Sequence, residues 1–100
     1  MFCLASRYQT SPAHLLEIEQ VFREQAFPLV SRQLGFRGVY LLTKPDGEFL
    51  VLNIWETEEQ ANDWPQNPKH QQVVTQLRPL LSGPPTRDGY HVRAYAVTRD

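Results

Sequence analysis

The sequence predicts an α+β domain with a ferredoxin-like βαββαβ order, in which a four-stranded antiparallel sheet carries its helices on one face. The first observation behind this prediction is a pair of strand-like runs, 36–43 and 48–55, separated by Lys44-Pro45-Asp46-Gly47. A turn this short joins only antiparallel strands, because a parallel pair needs a crossover of about a dozen residues. The second observation is the alternation of the remaining strand and helix signals along the chain.

The third observation is that the run from Phe49 to Trp55 is apolar on both faces. Its apolar side chains divide between the two faces, with Leu50, Leu52 and Ile54 on one and Phe49, Val51 and Trp55 on the other. An antiparallel strand normally has one wetted face. A chain of 100 residues can cover one face with its own helices. We therefore expect a second copy of the chain to cover the other face.

The first strand and the first helix have clear signals. Residues 2–9 alternate as a strand. Ser11 and Pro12 then mark a helix start, and apolar residues at spacings of three and four predict a long amphipathic helix. Pro28 predicts a kink or break near Phe27, and Gly35 suits the left-handed residue that closes the helix after Leu34.

The second half of the chain predicts two shorter helices and a last strand. Thr57 to Gln60 form a capping box that begins one helix, which ends at Trp64-Pro65. Asn67-Pro68 begin the next helix, and Pro79 ends its regular part. Ser82 to Pro85 read as a loop, and residues 90–97 as the last strand.

Size and composition exclude several classes of protein. One hundred residues with 41% hydrophobic content predict a single domain over 1–100. A net charge of −1 without a basic stripe gives no reason to expect nucleic acid, and no apolar run has the length of a membrane span. The N-terminal residues do not form a secretory signal, and the lone Cys3 fits a reducing compartment, so we expect a cytoplasmic protein.

No motif in the sequence identifies an active site. His14, His70 and His91 lie on different elements, and no metal-ligand spacing or glycine-rich phosphate loop is present. Glu58 and Glu59 are explained by the first turn of a helix, where acidic side chains favour the helix dipole.

Each of three residues can be explained either by a structural role or by a role in function. Asn53 is the polar residue of an apolar strand, so its amide is either satisfied by neighbouring backbone or contacts a ligand. Trp64 is either a lid on the core or the wall of a pocket. His70, near a helix N-terminus, is either a surface or capping residue or a neutral general base. The polar set His91, Arg93 and Tyr95 on the last strand is predicted at the sheet rim or a dimer seam.

Four short motifs together resemble the antibiotic-biosynthesis monooxygenase family. They are Gly35-Phe36-x-Gly38, Trp55-Glu56-Thr57-Glu58-Glu59, Asn67-Pro68-x-His70 and Leu80-Leu81-x-Gly83-Pro84. The resemblance covers nearly the whole chain and is densest from Gly35 to Pro84. It implies a dimeric α+β barrel in which two sheets pack face to face, which agrees with the strand that is apolar on both faces.

The resemblance implies a cofactor-free oxygenase that acts on a small phenolic or quinol-type aromatic with dioxygen. In this reading His70 is the base, Asn53 holds the substrate oxygens, and Trp64 and Phe22 wall the site, with Ser6 as a further substrate contact. No metal or flavin is required. Such a site needs a cavity of at least ~300 Å³ near Trp64, His70 and Asn53.

Two alternatives stay open. The first is a haem-degrading enzyme, because Trp64 matches the tryptophan that packs against the haem ring in such enzymes. However, Ser6 stands where those enzymes have an asparagine, and Val73 or Val74 stands near the position of their iron ligand. Haem is therefore disfavoured unless His70 replaces that ligand. The other alternative is a non-catalytic dimeric module that binds a small apolar ligand or a partner protein.

Overall fold

A computed structural model describes residues 1–98 and shows the predicted α+β fold. Four strands form one antiparallel sheet in the spatial order β2-β3-β1-β4. The strands are β1 (Phe2–Gln9), β2 (Phe36–Thr43), β3 (Glu48–Trp55) and β4 (Thr86–His91). The helices are α1 (Leu15–Val21), α2 (Phe27–Val30), α3 (Glu58–Asp63) and α4 (Pro68–Leu77).

The helices cover one face of the sheet and form the core with it. On β3 the buried side chains are Phe49, Val51, Asn53 and Trp55, and they alternate with half-exposed ones as a strand with one covered face requires. On β1 the corresponding side chains are Phe2, Leu4 and Ser6. Two adjoining clusters result, one around Ile18, Phe22 and Phe49 and one around Trp55, Ala61 and Trp64.

The other face of the sheet is apolar and has no cover from residues 1–98. Leu50, Leu52 and Ile54 of β3 lie half-exposed there. Their neighbours on β2 in the ladder are Leu42 and Tyr40, which are 44% and 56% exposed. The prediction that β3 is apolar on both faces is therefore confirmed. Among the described residues, no helix combines the length and apolar character needed to cross a bilayer.

The predicted break near Phe27 takes the form of a π-helical turn. Residues 22–26 form this wide turn between α1 and α2, and the N–H of Phe27 donates to the carbonyl of Phe22. Pro28 has no N–H, so it cannot donate to the carbonyl four residues earlier, and the helix adjusts around the missing bond.

The helix ends earlier than the sequence predicts. Its regular part stops at Val30 rather than beside Leu34, and Gln33 explains the difference. The backbone N–H of Gln33 donates to Val30 O at 3.0 Å, while its side-chain amide donates to Leu29 O at 3.1 Å. This side chain therefore satisfies a carbonyl that a continuing helix would use. Gly35 has a φ of 82°, as its predicted left-handed conformation requires.

The predicted caps of the two later helices are confirmed. Thr57 and Gln60 form a reciprocal capping box at α3. At α4 the Asn67 Oδ1 accepts from the backbone N–H groups of Lys69 and His70, at 2.9 and 3.1 Å. A single 3₁₀ turn, Trp64–Gln66, connects the two helices.

The last strand was predicted in the wrong place. The sequence placed it at 90–97, whereas β4 spans Thr86–His91 and residues 92–98 have no regular structure. β4 is set by its pairing with β1, from Thr86 opposite Arg7 to His91 opposite Phe2. The ladder ends where Val92 N donates to Met1 O at 3.0 Å. Arg93 and Tyr95 therefore do not lie on a strand of this sheet, and Tyr95 is 63% exposed.

Candidate functional site

A narrow cavity lies between the helices and the covered face of the sheet. The five residues predicted for the site all line it, namely Ser6, Phe22, Asn53, Trp64 and His70. Most of the remaining lining is aliphatic or aromatic, from α2, α4 and the sheet, and Arg87 of β4 adds a charge. Residues that are scattered in sequence therefore meet around one apolar space with a few polar groups, the usual character of a small-molecule site.

The volume of the cavity is much smaller than the volume that a ligand site was expected to need. Its volume is about 40 Å³, compared with the ~300 Å³ at which ligand sites begin. A space of this size has room for roughly one to three water molecules. In this conformation the cavity can admit dioxygen but not an aromatic ring.

His70 presents an unpartnered nitrogen within this site. Asn67 caps the start of α4 and thereby fixes the His70 backbone, and the imidazole packs against Trp64 with ring centroids 4.3 Å apart. Its Nδ1 is buried, and among residues 1–98 nothing hydrogen-bonds to it. Buried nitrogens are rarely left without a partner. The His70 Nδ1 is therefore the atom of the site that most clearly lacks a hydrogen-bond partner, and a bound ligand could supply one.

The imidazole of His70 is neutral at physiological pH. Burial lowers its pKa from 6.5 to about 4, and the positive charge of Arg87 adds to the effect. The neutral state agrees with the sequence-based expectation, but its principal cause is loss of solvent rather than the helix dipole. A neutral imidazole can accept a hydrogen bond from a hydroxyl group.

Asn53 is oriented by its neighbour on the same face of β3. The indole Nε1 of Trp55 donates to Asn53 Oδ1 at 2.6 Å, and both side chains are buried. The amide is therefore satisfied by a side chain at its oxygen end, not by backbone. Among the described residues, its Nδ2 has no acceptor, so this end is available as a donor to the cavity.

Arg87 is the site residue that sequence reasoning missed. In the ladder it lies opposite Ser6, and its Nε donates to Ser6 Oγ at 3.3 Å. No carboxylate of residues 1–98 forms a salt bridge with Arg87. The position was overlooked because the last strand was placed four residues too late, which left Arg87 in a loop.

Trp64 and Phe22 form walls of the cavity. Trp64 is 7% exposed and belongs to the core cluster around Trp55, so it is both a lid on the core and a lining residue. Phe22 is equally buried and lies edge-on to Phe27 and Phe49. The two readings of Trp64 are therefore compatible.

The side chains of the cavity do not fit haem. Val73 and Val74 line it near the position of the implied iron ligand, and neither can bind a metal. The only imidazole in the lining packs against Trp64 with an interplanar angle of 35°, in a space far smaller than a porphyrin. Within residues 1–98, no group of three His, Cys, Asp or Glu side chains is close enough to hold a metal ion.

A family model described as antibiotic biosynthesis monooxygenase matches residues 1–76. The chain belongs to the antibiotic biosynthesis monooxygenase family. The matched region includes all of the predicted site residues, while Arg87 and β4 lie beyond it. No curated protein matches the sequence.

Solved structures of this antibiotic biosynthesis monooxygenase fold are similar over nearly their whole length. NE2512 of Nitrosomonas europaea, a protein of unknown function, has a TM-score of 0.81 at 17% identity, covering 99% of this chain and 95% of its own. SnoaB of Streptomyces nogalater, a cofactor-independent oxygenase, has a TM-score of 0.76 at 22% identity and 94% coverage of both chains. Rv0793 of Mycobacterium tuberculosis has a TM-score of 0.75 at 14% identity, with 96% and 98% coverage. At such identities the similarity shows the fold alone.

Proposed function

We propose that this protein is a cofactor-independent monooxygenase that acts on a small phenolic or quinol-type aromatic and dioxygen. The observation that carries the proposal is the unpartnered Nδ1 of His70 in an apolar cavity. Two further donors face the same space, the free end of the Asn53 amide and the guanidinium of Arg87. Membership of the family and the similarity to SnoaB, an oxygenase without cofactor, support it.

The residues suggest how a phenol would be activated. The substrate hydroxyl donates to His70 Nδ1, and transfer of its proton leaves an aromatic anion. Asn53 Nδ2 and Arg87 stabilise the negative oxygen, and this charge raises the proton affinity of His70 during the reaction. The electron-rich ring then reduces dioxygen. One oxygen atom becomes a carbonyl on a ring carbon, and the other leaves as water with two hydrogens of the substrate, so that phenol plus dioxygen gives quinone plus water.

The protein's contribution is thus deprotonation, orientation and exclusion of water, and the proposal includes no haem, flavin or metal. It does require that the cavity widen, because about 40 Å³ cannot hold a ring. The same small volume favours the second candidate, a non-catalytic module that binds a small apolar ligand or a partner protein.

Oxygen uptake separates the two candidates. We would incubate the protein with 1-naphthol and a set of simple phenols and quinols, and follow dioxygen with an electrode and products by mass spectrometry. His70→Ala should lower turnover by roughly 10²- to 10⁴-fold, the usual contribution of a general base. His14→Ala, which changes a histidine outside the cavity, is the matched control. Equal rates for wild type and His70→Ala would reject the base, and binding without oxygen uptake would favour the module.

The proposed active form is a homodimer in which two copies bury the apolar open faces of their sheets. Leu50, Leu52 and Ile54 would lie near the centre of this interface. A hydrophobic face of this kind is typical of a permanent interface rather than of free surface.

A further inference from the structure

A second cavity lies directly behind the wall of the first. This outer cleft has a volume of about 210 Å³ and opens between the end of the long helix and the α3–α4 connection. Its lining includes the amides of Gln33, Gln60 and Asn67, the carboxylate of Asp63, and both tryptophans. Neither the cleft nor the inner cavity reaches the ~300 Å³ of a ligand site by itself.

Trp64 separates the two spaces. Among the residues described, it is the one that lines both the inner cavity and the outer cleft. Its indole packs against His70 on the inner side, with ring centroids 4.3 Å apart, and against Trp55 at 6.0 Å. The partition between cavity and cleft is therefore one side chain thick.

Trp64 is held less firmly than the other tryptophan. Trp55 is tied through its Nε1 to Asn53, whereas among residues 1–98 nothing accepts a hydrogen bond from Trp64 Nε1. Trp64 begins a single 3₁₀ turn between two short helices, and Pro65 follows it. Displacing its indole therefore breaks packing contacts but no side-chain hydrogen bond.

We infer that Trp64 is an adjustable wall whose displacement joins the inner cavity to the outer cleft into one site for a planar two-ring aromatic. The inference rests on the proposed function for the nature of the ligand. With the space that the indole now fills, the two volumes reach the size range of ligand sites. An incoming ring can also replace the indole against His70, which restores the lost contact.

The arrangement would make Trp64 the residue that selects substrates by size. A ligand ring on the inner side brings its hydroxyl to His70 Nδ1 and Asn53, while the second ring lies where the indole was. Because the wide state is only partly populated in the free protein, the apparent affinity is reduced by that fraction, and removing the wall should restore it.

The wall can be tested without any ligand by ¹⁹F NMR of protein labelled with 5-fluorotryptophan. The chain has two tryptophans, so the spectrum has two signals, which Trp55→Phe and Trp64→Phe variants assign. We expect microsecond-to-millisecond exchange at Trp64 and not at Trp55, the timescale of such local opening. A flat relaxation-dispersion profile at Trp64 would overturn the inference, whether or not the protein is an oxygenase.

A ligand-binding series gives the second test. Stopped-flow association of 1-naphthol should be at least roughly ten-fold faster with Trp64→Ala than with wild type, and Trp64→Phe should be intermediate. Leu16→Ala, which changes a 70% exposed residue that lines neither the inner cavity nor the outer cleft, should bind as wild type does. Equal association rates in wild type and both Trp64 variants would refute the wall. Absence of oxygen uptake together with wall-dependent binding would refute only the oxygenase.

Discussion

The indole N–H of Trp55 donates to the side-chain oxygen of Asn53 at 2.6 Å, two residues away on the same face of β3. Because of this bond, the Asn53 oxygen is hydrogen-bonded within the core, and the amide nitrogen Nδ2 remains available as a donor to the cavity. The residue pair therefore connects the packing of the fold to the chemistry of the proposed site.

Replacing Trp55 by Phe should destabilise the protein by about 1–3 kcal/mol, since it leaves a buried amide oxygen without its donor and removes part of a packed ring. Urea unfolding followed by circular dichroism measures the change. Asn53→Leu in the same background should cost less than it does in wild type, because the hydrogen bond is already absent. Additive effects of the two substitutions would contradict the coupling.

The stability of the protein should decrease as the pH falls from about 6.5 to about 4. The pKa of His70 is lowered to about 4 in the folded chain, so the unfolded chain binds more protons throughout this window, and protonation favours unfolding. The expected contribution is on the order of 1 kcal/mol after allowance for partial exposure of the ring. It should disappear in His70→Gln, and an identical pH dependence in wild type and variant would contradict it.

Arg87→Gln should raise the pKa of His70, because the guanidinium charge is one of the two causes that lower it. The rise should be partial, since burial is the larger cause and stays in place. Titration of the imidazole proton signals by NMR gives the value directly. Arg93→Gln, at an exposed position beyond β4, is the control and should leave the titration of His70 unchanged.

Adjacent positions on β3 should respond differently to a carboxylate. Val51 is 7% exposed and belongs to the core, so Val51→Asp should cost about 3–5 kcal/mol or prevent folding. Leu52 lies on the open face, so Leu52→Asp should leave the circular dichroism spectrum intact and abolish the proposed dimer. Light scattering at micromolar concentration checks the second outcome. A wild-type particle of 11.6 kDa would contradict the dimer.

Much of the fold could be predicted because its signals are local. The turn at Lys44 to Gly47, the capping box of Thr57 and Gln60, and the Asn67-Pro68 helix start each depend on residues a few positions apart. The convergence of His70, Asn53 and Trp64 followed from the family resemblance rather than from any spacing. The place of the site could thus be anticipated. The volume of the cavity could not, because it depends on how side chains from all four strands, two helices and the turns at 22–26 and 64–66 fill the space.

The errors arose where pairing with distant residues decides the outcome. Residues 90–97 alternate as well as many strands do, yet β4 begins at Thr86 because β1 provides partners only for that stretch. The same error concealed Arg87, whose position facing the cavity is fixed by its register with Ser6. The early end of the long helix depends on a side-chain bond from Gln33, which no periodicity reveals.

The wide turn at residues 22–26 has a consequence for how the long helix meets the sheet. The buried positions Ile18, Phe22, Ala26 and Val30 recur at a constant interval of four. In a helix of 3.6 residues per turn, each such step advances about 40° around the axis, so the last of them would point about 120° away from the first. By taking up one additional residue, the π-helical turn cancels this drift. A regular α-helix with the same number of residues would therefore turn Val30 away from the sheet, whereas deletion of one residue from the segment would leave Val30 within about 20° of its present direction.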